Sequence, residues 1–163
     1  MSTYLSATMT ALAALTAGNG SPVYGADLYR GKKLRYMVVD YTIPATGGAV
    51  PITGDVITLC KLPKGATVDP SRSHVWNELV HTACTLNIGD DGVTASATRY
   101  ASALDVKAAN AMVGLSSGTL PAAQKTPYTT LVETTVSATF TSTVTLNTAA
   151  SQMRFYIAYF INS

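Results

Sequence analysis

The sequence predicts an all-β protein: an antiparallel, jelly-roll-like β-sandwich of about eight strands, preceded by an N-terminal arm. Three observations carry this expectation. Apolar runs of strand length recur between turn signals after residue 31, which is the pattern of a sandwich or barrel. Several of those runs alternate with period 2, as a sheet with one buried face requires. Helical periodicity of useful length is missing beyond the arm. At 163 residues the chain has the length of one domain and can bury a core without staples. The expected division is an arm over residues 1–31 and a sandwich domain over residues 32–163.

The arm is rich in Ala, Thr, Gly and Ser, with a short helix expected at 6–15. Its run from Ala11 to Ala17, closed by Gly18, has the look of a signal-peptide core, but no Lys or Arg precedes it, so the basic leading region is missing. The run is also far short of the ~18 apolar residues that cross a bilayer. A cytoplasmic product without a membrane partner is expected.

Strands are expected at 33–43, 55–62, 75–81, 84–88, 98–104, 129–136, 139–147 and 153–161, the count of a two-sheet jelly roll. Over 139–147, Phe140, Val144 and Leu146 point one way and the threonines the other. Over 84–88, Cys84, Leu86 and Ile88 form the inward set. The last strand is apolar on both faces, so it is either central in its sheet or covered by a partner. Leu62-Pro63-Lys64-Gly65 reads as a type I turn with Pro63 second and Gly65 fourth. Gly89-Asp90-Asp91-Gly92 closes another strand, and 114–127 reads as a surface loop.

Candidates for chemistry fail one by one. Gly114-Leu115-Ser116-Ser117-Gly118 matches the G-x-S-x-G nucleophile elbow, yet no His or Asp follows it, and the hydrolase triad needs both later in the chain. His74, His81 and Cys84 lack the spacing of a metal site. The Asp90-Asp91-Gly92 turn lacks the alternating ligands and terminal Glu of a calcium loop. Two glutamates, Glu78 and Glu133, and seven aspartates show no pattern of paired carboxylates. Gly18-Asn19-Gly20 has no preceding strand or following Lys to make a phosphate loop. Trp76 and the tyrosines read as packing residues, with a sugar platform as the alternative. No cofactor, no metal and no enzymatic activity are expected.

Charge and composition point to assembly. The formal net charge is +2, too small for a direct nucleic-acid partner, which needs a concentrated basic stripe. Only Arg30, Lys32, Lys33 and Arg35 cluster. Charged residues are 12 % of the chain against about 25 % in ordinary domains, and Ser plus Thr supply roughly a quarter. Such a surface resists self-association poorly and suits a protein packed against neighbours. A soluble monomer should not expose Phe155, Tyr156, Tyr159 and Phe160 together, so these are expected at or directly beneath an interface. Tyr4, Leu5, Leu12 and Leu15 are expected to dock the arm on a neighbour. Cys60 and Cys84 lie in apolar runs and are expected to be buried thiols; a bridge between them stays open.

The segment Gly54-Asp55-Val56-Ile57-Thr58-Leu59-Cys60-Lys61-Leu62-Pro63-Lys64-Gly65-Ala66 resembles a pattern of small virion proteins of tailed bacteriophages. Similar features follow in Thr85-Leu86-Asn87-Ile88-Gly89-Asp90-Asp91-Gly92, the pair Arg99-Tyr100, and the closing Arg154-Phe155-Tyr156-Ile157-Ala158-Tyr159-Phe160. The resemblance runs from about Lys33 to Ile161. Some members resemble jelly-roll capsid decoration (cement) proteins, oligomers that sit on the outer face of the major capsid protein. It implies a capsid-exterior subunit, made in the host bacterial cytoplasm, with the major capsid protein and itself, as homodimer or homotrimer, for partners. No catalytic residue comes with it. The alternative is a receptor- or carbohydrate-binding module of a phage fibre or tail.

Overall fold

Residues 34–118, 128–145 and 147–161 are described by the computed structural model. The arm, with its expected helix and with Tyr4, Leu5, Leu12 and Leu15, lies outside the described residues, as do 119–127 of the expected loop. Nine strands are present among the described residues: β1 (Leu34–Ile43), β2 (Val56–Leu62), β3 (Ala66–Val68), β4 (His74–Asn77), β5 (Thr85–Asp90), β6 (Ser96–Asp105), β7 (Ala111–Gly114), β8 (Thr134–Phe140) and β9 (Ser151–Ile161).

All strand pairings among the described residues are antiparallel. One sheet runs β1-β9-β4-β7, with β3 also paired to β9; the other runs β2-β8-β5-β6. The pairs β1·β9, β2·β8, β4·β7 and β5·β6 are nested, as in one long hairpin whose successive rungs fall alternately in the two sheets. That is the jelly-roll arrangement the strand count anticipated.

The core lies between the sheets because each strand presents its buried set to the same side. β8 is the clearest case: Thr134, Val136, Ala138 and Phe140 are buried while the residues between them are half-buried. From the other sheet come Val75, Met153, Phe155 and Ile157, all fully buried. Tyr41 on β1 meets Phe140 on β8 with ring centroids 6.1 Å apart, which ties the two layers. Each large side chain so buried contributes about 1.5–3 kcal/mol of transfer free energy. β9 is central, with β1 on one side and β3 and β4 on the other, which accounts for its two apolar faces.

Four details differ from the sequence expectation. The runs 129–136 and 139–147 are not two strands. One strand, Thr134–Phe140, passes straight through Ser137 and Ala138, because the small Ala138 fills a buried position and preserves the alternation. Phe140 and Val144 do point inward, but the chain after Phe140 is loop, in which Val144 N–H donates to Pro51 O at 2.9 Å. β4 stops at Asn77 instead of reaching His81, since the Asn77 amide donates to Leu79 O at 2.7 Å and Val106 O at 2.9 Å, capping the strand with a side-chain turn. The short β3 and β7 had no periodic signal; their partners lie far along the chain.

The turn after β2 is shifted by one residue. Ala66 N–H donates to Pro63 O at 3.2 Å, and Gly65 has φ +83°, so Gly65 is the third residue of a type II turn, the position that requires positive φ. The buried Thr130 holds that turn: its hydroxyl donates to Pro63 O at 2.7 Å and accepts from Ala66 N–H at 3.0 Å.

Candidate functional site

The alternation of β9 sorts its aromatic residues onto two faces. Met153, Phe155, Ile157 and Tyr159 turn into the core, and Phe155 is 0 % exposed. Arg154, Tyr156 and Phe160 turn outward and are half-buried. Cross-strand register extends this outer face over the sheet. Val38 lies opposite Tyr156, Leu34 opposite Phe160 and Asp40 opposite Arg154. On the other side His74 pairs with Tyr156 and Trp76 with Arg154, and Met112 of β7 lies opposite Trp76.

The result is an apolar, aromatic outer face. Tyr36, Val38 and Met112 are 49 %, 54 % and 62 % exposed. His74 and Tyr156 stack with centroids 4.6 Å apart, and the Arg72 guanidinium lies 6.0 Å from the Phe160 ring centroid. Arg154 grips Asp40 through two contacts, Nε to Oδ1 at 2.5 Å and a second nitrogen to Oδ2 at 3.0 Å. This bidentate pair holds the Asp40 carboxyl below its ordinary range and raises Arg154. Its charges cancel locally. The face can therefore bury apolar area without desolvating a lone charge, which is the chemistry of docking.

Of the residues expected at an interface, the structure brings Tyr156 and Phe160 to this face and puts Phe155 and Tyr159 beneath it, in the core. Sequence reasoning missed Tyr36, Val38 and Met112. β1 carries the same signal as β9, apolar residues on both faces, interrupted on its outward side by Asp40.

A second cluster stands where the resemblance had its Gly-Asp-Asp-Gly turn and Arg-Tyr pair. Asp90 ends β5 with its side chain fully buried; Arg99 Nε lies 2.8 Å from its Oδ2, and Tyr100 donates its hydroxyl to the same oxygen at 2.6 Å. Gly92 N–H donates to Oδ1 at 3.2 Å. The Arg99 guanidinium sits 3.7 Å over the Tyr128 ring and also bonds the Thr94 carbonyl. Burial first, then the bond to Asp90, pushes the Tyr100 phenol far above its usual range. Gly89 allows β5 and β6 to close here, since a Cβ would lie 1.9 Å from Ser96 O. The cluster anchors the β5–β6 hairpin.

The remaining candidates are placed as follows. Gly114 ends β7 and Leu115–Ser117 form a short 3₁₀ turn, in which Ser117 Oγ donates to Gly114 O at 2.6 Å. His81 is buried with Nδ1 2.9 Å from Thr145 O, and His74 stands on the outer face. Among the described residues no three His, Cys, Asp or Glu side chains are grouped to hold a metal ion, and no helix is long and apolar enough to cross a membrane. Glu78 accepts from Gln152 N–H at 2.9 Å and Glu133 pairs with Lys61 at 3.5 Å.

Cys60 and Cys84 are both buried and free. Burial pushes the thiols up to about 11 and about 12, and only the thiolate is nucleophilic. At pH 8 both should react with a disulfide reagent roughly a hundredfold more slowly in the native protein than in urea. Rapid native labelling, followed by absorbance, contradicts this.

The sequence matches no catalogued protein-family profile and no curated protein. Among solved structures, the chain is similar to one in the capsid asymmetric unit of cyanophage Pam1, with 25 % identity over 81 % of this chain and 86 % of that one, at a TM-score of 0.52. A chain in the acidic stable capsid structure of the Helicobacter pylori bacteriophage KHP30 is 16 % identical over 80 % of this chain and 89 % of that one, at a TM-score of 0.42. The fold is that of an all-β sandwich with an apolar outer face, and the first of these likenesses, to a chain of a phage capsid asymmetric unit, supports a phage virion structural role.

Proposed function

We propose that the chain is a bacteriophage virion structural protein, a capsid decoration (cement) subunit that binds the outer face of the major capsid protein and stabilises the shell. The observation that carries this is the likeness to a Pam1 capsid chain over most of both lengths. The apolar outer face of the β1-β9-β4-β7 sheet supports it by supplying contact area, worth about 25 cal/mol per Å² before ordering costs. The role is binding without catalysis, on the virion exterior, in contact with capsid protein and copies of itself. Neither nucleic acid nor membrane is a direct partner.

The second reading, a receptor- or carbohydrate-binding module of a fibre or tail, draws on His74, Trp76 and Tyr156 lying on one face. Capsids of the source phage, stripped of this subunit, separate the two. Added full-length chain should co-sediment with them and raise their melting temperature. A chain lacking residues 2–20 should keep its own melt but be retained less. Failure of the full chain to bind stripped capsids, with glycan binding lost on Trp76→Ala, overturns the cement reading.

A further inference from the structure

The four sheet edges are not treated alike. β7 is only four residues long and runs into a 3₁₀ turn. β2 carries a bulge between Thr58 and Cys60. β6 pairs irregularly with β5 at two points and contains Ala103 at φ +50°. Short length, bulges and kinks are the devices by which proteins stop an edge strand from pairing with another chain.

β1 has none of them. It pairs with β9 in unbroken register for all ten residues, Leu34 with Phe160 through Ile43 with Ser151. Its sequence, LRYMVVDYTI, holds no proline and no lysine, and among the described residues its other side has no partner strand. Tyr36 and Val38, its half-exposed outward residues, border that open side.

We propose that β1 pairs antiparallel with β1 of a second copy, joining two β1-β9-β4-β7 sheets across a two-fold axis. A two-fold axis normal to the sheet keeps outward residues outward, so opposed positions share parity. Centred on Met37 or Val38, such a pairing sets Arg35 against Val39 or Tyr41 of the second copy, and Asp40 against Leu34 or Tyr36. No like charges face each other, and Asp40 is already neutralised by Arg154 of its own copy. Tyr36 and Val38 fall among the opposed outward pairs, the aromatic and β-branched combination that stabilises sheets. A regular strand is its own complement, so a second copy fits better than an unrelated partner. The second half of the arm fits worse, since residues 18–31 contain Gly18, Gly20, Pro22, Gly25 and Gly31, which strands disfavour; pairing of β1 with residues 2–17 of its own chain instead would leave the wild type monomeric. The outer faces of the two sheets then form one continuous surface.

The test is sedimentation equilibrium on the full chain with two charge variants. Val38 is more than half exposed, so Val38→Lys and Val38→Glu should keep the native melt. Wild type should be dimeric at micromolar concentration, and each variant should self-associate at least a hundredfold more weakly. An equimolar mixture of the two variants should recover the dimer. Alternate β1 amides, those not bonded to β9, should exchange slowly with solvent in the dimer and fast in Val38→Lys. A monomeric wild type, a dimer indifferent to both variants, a mixture that stays monomeric, or a dimer whose outer β1 amides exchange freely each overturns the proposal. It concerns copies of this chain alone: a β1-paired dimer that fails to sediment with capsids leaves it standing and sinks only the cement function.

Discussion

Asp90→Ala is expected to lower stability by about 3–5 kcal/mol, the usual cost of removing one member of a buried ion pair. Asp90 forms an ion pair with Arg99 and accepts from the Tyr100 hydroxyl and the Gly92 amide. Its removal leaves a guanidinium whose side chain is only 13 % exposed facing an emptied site, and a buried phenol without its acceptor. Each such orphaned group carries its own desolvation penalty. Domains of this size are stable by only about 5–15 kcal/mol, so the variant should sit near the threshold of folding. In a urea titration the midpoint should fall by roughly 2 M, taking a slope near 2 kcal/mol per M. Asp90→Asn keeps the volume and one carbonyl oxygen and should fall between. Asp91→Ala is the control: Asp91 is exposed and its bonds, chiefly to Thr135, are made at the surface, so its midpoint should hardly move. If Asp90→Ala and Asp91→Ala shift the midpoint equally, the anchor role assigned to the cluster is wrong.

Phe155→Ala should be comparably damaging, and its contrast with a neighbour on the same strand makes it informative. Phe155 is fully buried between the sheets, and truncating a core phenylalanine costs about 3–5 kcal/mol through lost transfer energy and the cavity left behind. For a domain of this size that is a fall of roughly 10–20 °C in Tm. Phe160, five residues on and on the opposite face, contacts Arg72 and solvent. Phe160→Ala should therefore change Tm by much less and show its effect in association with other subunits. Differential scanning calorimetry compares the two directly; equal losses in Tm would mean that the outward residues of β9 are core and not contact surface.

The features of this molecule divide by the range of the forces that made them legible. Period-2 alternation in 84–88 marked β5, and two apolar faces over 153–161 marked a central strand, because burial acts on each residue wherever its partner lies. The nested order of the strands was open only at the level of class, since eight runs and their turns suggest a jelly roll without naming who pairs with whom. The breaks came where side chains rule the backbone locally: Asn77 ended β4 early, and Thr130, distant in sequence, set the turn at Gly65.

The sites split in the same way. Tyr156 and Phe160 could be named as surface candidates from composition alone, but so could Phe155 and Tyr159, because alternation says that two faces differ and not which one meets the other sheet. That choice belongs to the packing of β9 between β1 and β4. The Asp90 anchor needed it too: Gly89-Asp90-Asp91-Gly92 and Arg99-Tyr100 stand apart in the chain, and only the β5–β6 pairing, with Tyr128 arriving from a third segment, makes them one cluster. By itself the sequence determined strands, turns, low charge and a core of alternating residues, all consequences of local stereochemistry and solvent. The tertiary structure alone decided which apolar face stays open, which edge is left unguarded and which charges are buried together, because those depend on contacts between residues up to more than a hundred positions apart.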